Sequence, residues 1–158
     1  MHRRAILGLG LSCLLAACAH QEAPATPGMA WSLHHAEGEG AKLAYGQPSS
    51  DNVFLMLTCR PGSGQVRVSL TAPAATAPKT IELASRGASS VLPGVAAPAM
   101  GDGALLVEAT APATDPALAR FARTGVIAVV ENGKASTLPV RREERTSVSE
   151  FFAQCRTA

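Results

Sequence analysis

From about residue 30 onward the apolar positions recur mostly at every second residue, in short runs separated by glycine, proline and small polar residues. That is the period of strands. Trp31–His35 and Lys42–Tyr45 read as two strands joined through Glu37-Gly38-Glu39-Gly40. Val53–Cys59 (VFLMLTC) is apolar on both parities and predicts a central strand buried on two sides. Pro61-Gly62-Ser63-Gly64 predicts a tight turn, after which Val66, Val68 and Leu70 alternate with Arg67 and Ser69, a strand with one wet face. Ile81 and Leu83 flank Glu82 in the next strand, and Leu105–Ala109 makes another. Ala72–Pro78 and Pro93–Gly103 are rich in Ala, Pro and Gly and predict loops. Near the end, Gly125–Glu131 and Lys134–Val140 flank Asn132-Gly133, the dipeptide of a two-residue hairpin.

Two segments shift to the helical period. Asp115-Pro116 offers an N-cap and a proline for the first helical position, with a helix to about Arg123 burying Leu118, Phe121 and Ala122. Ser147-Val148-Ser149-Glu150 has the pattern of a capping box, and Val148, Phe151, Phe152 and Cys155 then fall on one helical face. Together these elements predict a mainly β domain: an antiparallel β-sandwich or small β-barrel with two short helices, one at the C-terminus.

The first residues follow a different pattern. Arg3 and Arg4 precede an apolar run from Ala5 to Leu15, about eleven residues, which suits a signal-peptide core and is short for a membrane span. Leu15-Ala16-Ala17-Cys18 closes it and resembles the lipobox of bacterial lipoprotein precursors. The resemblance implies cleavage before Cys18, a diacylglycerol thioether on its sulfur and a further acyl chain on its freed amine. Each buried methylene then contributes about 0.8 kcal/mol to anchoring. Residue 19 is Ala rather than Asp, which by likeness to enteric lipoproteins favours the outer membrane. The expected organisation is a signal peptide over 1–17, a lipidated, proline-containing tether over 18–29, and one domain over 30–158.

Charge changes the picture of possible partners. Fourteen Lys and Arg stand against twelve Asp and Glu. Loss of Arg3 and Arg4 with the signal leaves twelve of each sign, a net charge of zero with histidine neutral. No basic stripe remains to track a phosphate backbone, so no nucleic-acid partner is expected. Arg141-Arg142 and Glu143-Glu144 cancel locally and read as a solvated junction.

Of the four cysteines, Cys13 leaves with the signal and Cys18 carries lipid. Cys59 and Cys155 remain in an oxidising compartment, where an even pair predicts a disulfide. Cys59 shares strand parity with Leu55 and Leu57, and Cys155 shares the helix face of the two phenylalanines, so the bridge should join helix to sheet. For a loop of about 96 residues, chain entropy gives a stabilisation of roughly 4–5 kcal/mol.

Few residues suggest chemistry. His34-His35 point to opposite faces of a strand and cannot chelate together; one surface and one packed histidine are expected, with no metal and no cofactor. Glu37, Glu39 and Asp51 could gather as a calcium cluster or as paired carboxylates for acid–base work, although solvated loop positions beside glycines explain them as well. Gly62-Ser63-Gly64 lacks the flanks of a nucleophile elbow or a phosphate loop. No histidine follows His35 to serve a serine nucleophile. Trp31 and Tyr45 occur once each and are candidate recognition residues, with packing over a strand end as the plainer explanation.

The order Trp31, Leu43-Ala44-Tyr45-Gly46, Leu55–Cys59, Gly62–Gly64 and Phe151-Phe152-Ala153-Gln154-Cys155 resembles a group of uncharacterised exported alphaproteobacterial lipoproteins. That resemblance implies an envelope compartment and no assigned activity. More distantly, the lipobox, the β-rich pattern and the strand-cysteine-turn-strand arrangement are similar to membrane-bound inhibitors of C-type lysozyme, small periplasmic lipoproteins with a β-barrel and a disulfide. The serine-glycine loop leading to a tyrosine that such inhibitors use has no counterpart in this chain. The expectation is an outer-membrane-anchored, periplasm-facing module that is not an enzyme. Its expected partners are the membrane, through the N-terminal lipid, and an unknown envelope protein or glycan. The alternatives are an envelope-polymer hydrolase or a lysozyme-inhibitor-like protein.

Overall fold

The computed structural model describes residues 26–36, 38–99 and 103–156. The signal peptide, Cys18, most of the expected tether and Glu37 lie outside the described residues. Among the described residues the strands are β1 (Ala30–Ala36), β2 (Gly40–Gly46), β3 (Val53–Cys59), β4 (Gln65–Pro73), β5 (Thr80–Ser85), β6 (Ala88–Pro93), β7 (Val95–Pro98), β8 (Ala104–Pro112), β9 (Val126–Glu131) and β10 (Lys134–Pro139). Two α-helices join them, α1 (Pro116–Thr124) and α2 (Arg145–Cys155).

The strands form two antiparallel sheets, one in the order β1-β2-β3-β4-β8-β7 and the other β10-β9-β5-β6. Alternation decides which side chains face inward. Leu43, Leu55, Leu57, Val66, Val68, Leu70 and Val107 of the larger sheet meet Ile81, Leu83, Ile127 and Val129 of the smaller, all buried. The result is a β-sandwich, because each sheet buries one apolar face and the other sheet supplies the cover. Both Asn132 (φ 51°) and Gly133 (φ 75°) take positive φ, the geometry that the β9–β10 hairpin requires.

The helices close the core from the side. In α1, Asp115 caps the N-terminus through the backbone N–H groups of Ala117 (3.1 Å) and Leu118 (3.3 Å). Its apolar face buries Ala117, Leu118 and Phe121. The buried face of α2 is Val148, Phe151, Phe152 and Cys155, as its period predicts. Tyr45, Trp31, Phe121, Phe152 and Phe151 then stack in series, with ring centroids 5.1–5.9 Å apart, and tie the larger sheet to both helices. Cys59 and Cys155 form the disulfide, with Cα atoms 5.6 Å apart.

Four expectations are corrected. The outer side of β3 is only half covered, since no second layer packs on Met56 and Thr58. The segment over 93–103, expected to be a loop, contains the edge strand β7, and β6 precedes it; Pro93 and Pro98 sit at strand ends, where a missing N–H breaks no ladder. The two strands lie in different sheets, and the chain crosses at Gly94, where a Cβ would come within 2.6 Å of Val107 Cγ1. The third correction concerns α2, which begins at Arg145, before the Ser147–Glu150 box, behind a 3-10 turn over Arg142–Glu144. The last is Glu144, which is buried rather than solvated. Its carboxylate accepts from the backbone N–H of Arg141 (2.8 Å) and of Trp31 (3.3 Å), fastening the start of β1 to the start of α2.

Candidate functional site

Strand register fixes a row of outward-facing side chains across the larger sheet. Lys42 of β2 lies opposite Thr58 of β3, Thr58 opposite Arg67 of β4, and Arg67 opposite Thr110 of β8. The next row runs Ala44, Met56, Ser69 and Glu108. Four adjacent strands span about 14 Å at the usual spacing. The β1–β2 turn, with Glu39, and the β3–β4 turn, with Arg60 and Ser63, rise at the end of these rows, and the open groove beside them measures about 590 Å³. Its volume falls within the range of small-molecule or peptide sites.

Three cations, Lys42, Arg60 and Arg67, and two carboxylates, Glu39 and Glu108, line the groove. Lys42 pairs with Glu39, and this hydrogen bond together with the lysine's charge holds the Glu39 carboxyl below its ordinary value. Arg67 Nη1 lies 4.0 Å from Glu108 Oε1. Ser69 is buried on the groove floor and donates to the same Glu108 oxygen at 3.2 Å. Glu108 is therefore held from two sides, whereas the Arg60 guanidinium is exposed at the rim. The arrangement offers donors, acceptors and both charges over a broad, open floor.

The groove sits toward one end of the sandwich. Ala30 pairs with Gly46 at the end where the chain enters the domain, and Ala36 pairs with Gly40 at the other. β1 separates these ends by about 20 Å. Gly38, Glu39, Arg60 and Ser63 belong to the far end. There the β3–β4 turn also caps α2: the N–H groups of Gly62 and Gly64 donate to the carbonyls of Gln154 (2.9 Å) and Cys155 (2.8 Å). Gly62-Ser63-Gly64 is a turn, as expected, and it satisfies carbonyls that a helix end leaves free.

Trp31 and Tyr45, candidate recognition residues by sequence, are 4% and 1% exposed. Both lie on the inward parity of the first hairpin, with ring centroids 5.3 Å apart, so neither presents a ring face to solvent. His34 and His35 are both exposed, against the expectation that one is packed. His35 has inward parity but overhangs the end of the core, where Nε2 lies 3.4 Å from Glu150 Oε1 of α2. Glu39 and Asp51 fall at opposite ends of β2 and do not gather. Among the described residues no group of three or more His, Cys, Asp and Glu is placed to hold a metal. The sequence marked Arg67 and Ser69 as a wet face. It gave no sign that β8 lies beside β4 and brings Glu108 and Thr110 to the same groove.

The chain matches no family model, no curated protein and no solved structure.

Proposed function

We propose that this chain is an outer-membrane-anchored lipoprotein facing the periplasm, and that it works as a non-catalytic binding module with the groove of the larger sheet as its recognition face. The carrying observation is the groove itself: mixed charge and hydroxyls on a floor fixed by strand register, at the end of the domain away from the tether. Support for the anchor comes from Leu15-Ala16-Ala17-Cys18 behind Arg3, Arg4 and the apolar run. The Cys59–Cys155 bridge fits an oxidising compartment.

The partner is an envelope protein or a glycan, and the lining favours a polypeptide. Sugar rings are commonly held on exposed aromatic faces, and none of the chain's six aromatic residues lines the groove. Hydrolysis by paired carboxylates needs one acid whose pKa is raised. Glu39 moves the other way, because Lys42 stabilises its charged form.

Metabolic labelling with palmitate tests the anchor. Wild type should incorporate label and float with membranes, and Cys18→Ser should do neither; equal labelling of the two refutes lipidation at this residue. Arg67→Glu tests the groove, and should cut capture of the envelope partner at least tenfold without a change in thermal midpoint. Undiminished capture would place recognition elsewhere.

A further inference from the structure

The inward turn of Glu144 changes the charge of the surface around it. In sequence, Arg141-Arg142 and Glu143-Glu144 balance. In the fold, the Glu144 carboxylate is buried against the backbone N–H groups of Trp31 and Arg141 and is withdrawn from solvent. Arg142 and Arg145 stay exposed on either side of it, and Arg123, in the last turn of α1, is exposed as well. Two hollows, of about 290 and 540 Å³, share Arg145 as a wall. Arg123 lines the first, Arg141 and Arg142 line the second, and Glu143 is the single carboxylate that lines either. Arg145 reaches across to the end of α1: a Cβ on Gly125 would lie 3.7 Å from its Nη1. Among the described residues, Arg123, Arg142 and Arg145 have no carboxylate in ion-pair range. Cations gathered in this way without counter-charges raise the local potential and attract an anionic partner.

We propose that this arginine face docks on an anionic phospholipid surface, with its guanidinium groups donating to headgroup phosphates. A guanidinium fork suits phosphate oxygens taken two at a time. Place in the fold carries the argument further. α2 runs from Arg145, where Glu144 is tied to the start of β1, to Cys155, bonded to Cys59 at the far end. Arg141 Nη2 donates to the carbonyl of Met29 at 2.9 Å, just ahead of β1. The arginine face therefore belongs to the end where the chain enters the domain, and the groove of the larger sheet lies toward the other. A membrane as the occupant rests on the lipid anchor proposed above. Met29 stands eleven positions after Cys18, at most about 40 Å of extended chain. An anchored domain can thus set this face on the lipid surface, and the groove is then held away from it.

The core and both sheets lie within 29–155, so the chain from Ala19 onward, exported without lipid, contains them whole. Co-sedimentation of that chain with vesicles of phosphatidylglycerol and phosphatidylethanolamine tests the face apart from the anchor. At about 0.1 M NaCl it should partition onto them, and at least about tenfold less onto phosphatidylcholine vesicles. Raising NaCl to about 0.5 M should release it, because salt screens exposed charges. Arg142→Gln and Arg123→Gln should each weaken partition about fivefold, one arginine's contribution near an anionic surface. Arg156→Gln removes the same charge from the other end of α2, whose eleven residues span about 16 Å. That exceeds the screening length of about 10 Å, so partition should change less than about twofold. All three side chains are exposed, so each variant should keep a cooperative thermal transition near that of wild type. No partition, equal partition onto neutral vesicles, or equal losses from Arg142→Gln and Arg156→Gln overturns the proposal. So does binding to heparin without partition onto vesicles, which would make the occupant a soluble polyanion. Palmitate labelling of the intact chain is independent of every arm, so failure of this face and failure of the anchor give different results.

Discussion

The two ends of this sandwich are finished in different ways. At the far end the chain closes on itself: a disulfide joins β3 to α2, the β3–β4 turn satisfies the last helix carbonyls, and Ala113 N–H donates to Gly64 at 2.8 Å. At the end where the chain enters the domain one strand pair slips register, a pocket lined by both sheets opens to solvent, and two aromatic polar atoms are left unpaired. A domain of this size could have packed both ends alike. The difference teaches that satisfied contacts are concentrated beneath the groove of the larger sheet, and that room is left at the end where the chain enters the domain. Local stability in proteins follows such differences in satisfied contacts.

The largest way to break this contrast is to remove what links the ends. Phe121 touches Trp31 on one side and Phe152 on the other. Phe121→Ala should cost about 3–5 kcal/mol in denaturant unfolding and should loosen both ends together. Cys155→Ala should cost about 2–5 kcal/mol, with hydrogen exchange rising first at Gly62, Gly64 and α2 and much less at Tyr45. If exchange rises uniformly, the far end is no separate unit. Glu144→Ala acts at the start of β1, stranding the buried N–H of Trp31, and should cost about 1–3 kcal/mol. Tyr45→Phe has the opposite sign, with a gain of about 1 kcal/mol.

The smallest effect is a titration. Lys42→Ala should let the Glu39 carboxyl rise toward its ordinary value, read by NMR of its side-chain carbon. The sign follows from the pairing: a carboxyl lowered in the folded state stabilises above its unfolded pKa, and that contribution fades as pH falls through the folded value.

Much of this contrast was legible in residues 30–158. The alternation in Val66–Leu70, the Asn132-Gly133 hairpin and the helical spacing from Val148 to Cys155 are local signals, and local physics carries them into the fold. The disulfide followed because parity and helix phase placed both thiols inward. Other features depend on neighbours that no local pattern reveals. β6 and β7 hid behind proline and glycine because edge strands tolerate both. Glu144 looked solvated because its partners, Trp31 and Arg141, include one that is far away in the chain. Trp31 and Tyr45 looked like recognition residues because rarity cannot tell a buried ring from an exposed one. The groove's charges were visible one at a time, but their meeting depends on β8 returning beside β4.

The most direct test of a recognition face turned away from the membrane is photo-crosslinking in intact cells, with a photoreactive residue at Thr110 in the groove or at Ser50 in the exposed β2–β3 loop near the tether. Thr110 should give one discrete adduct, lost when Arg67→Glu is added, and Ser50 should give lipid adducts or none. A discrete protein or glycan adduct from Ser50, with none from Thr110, would contradict it.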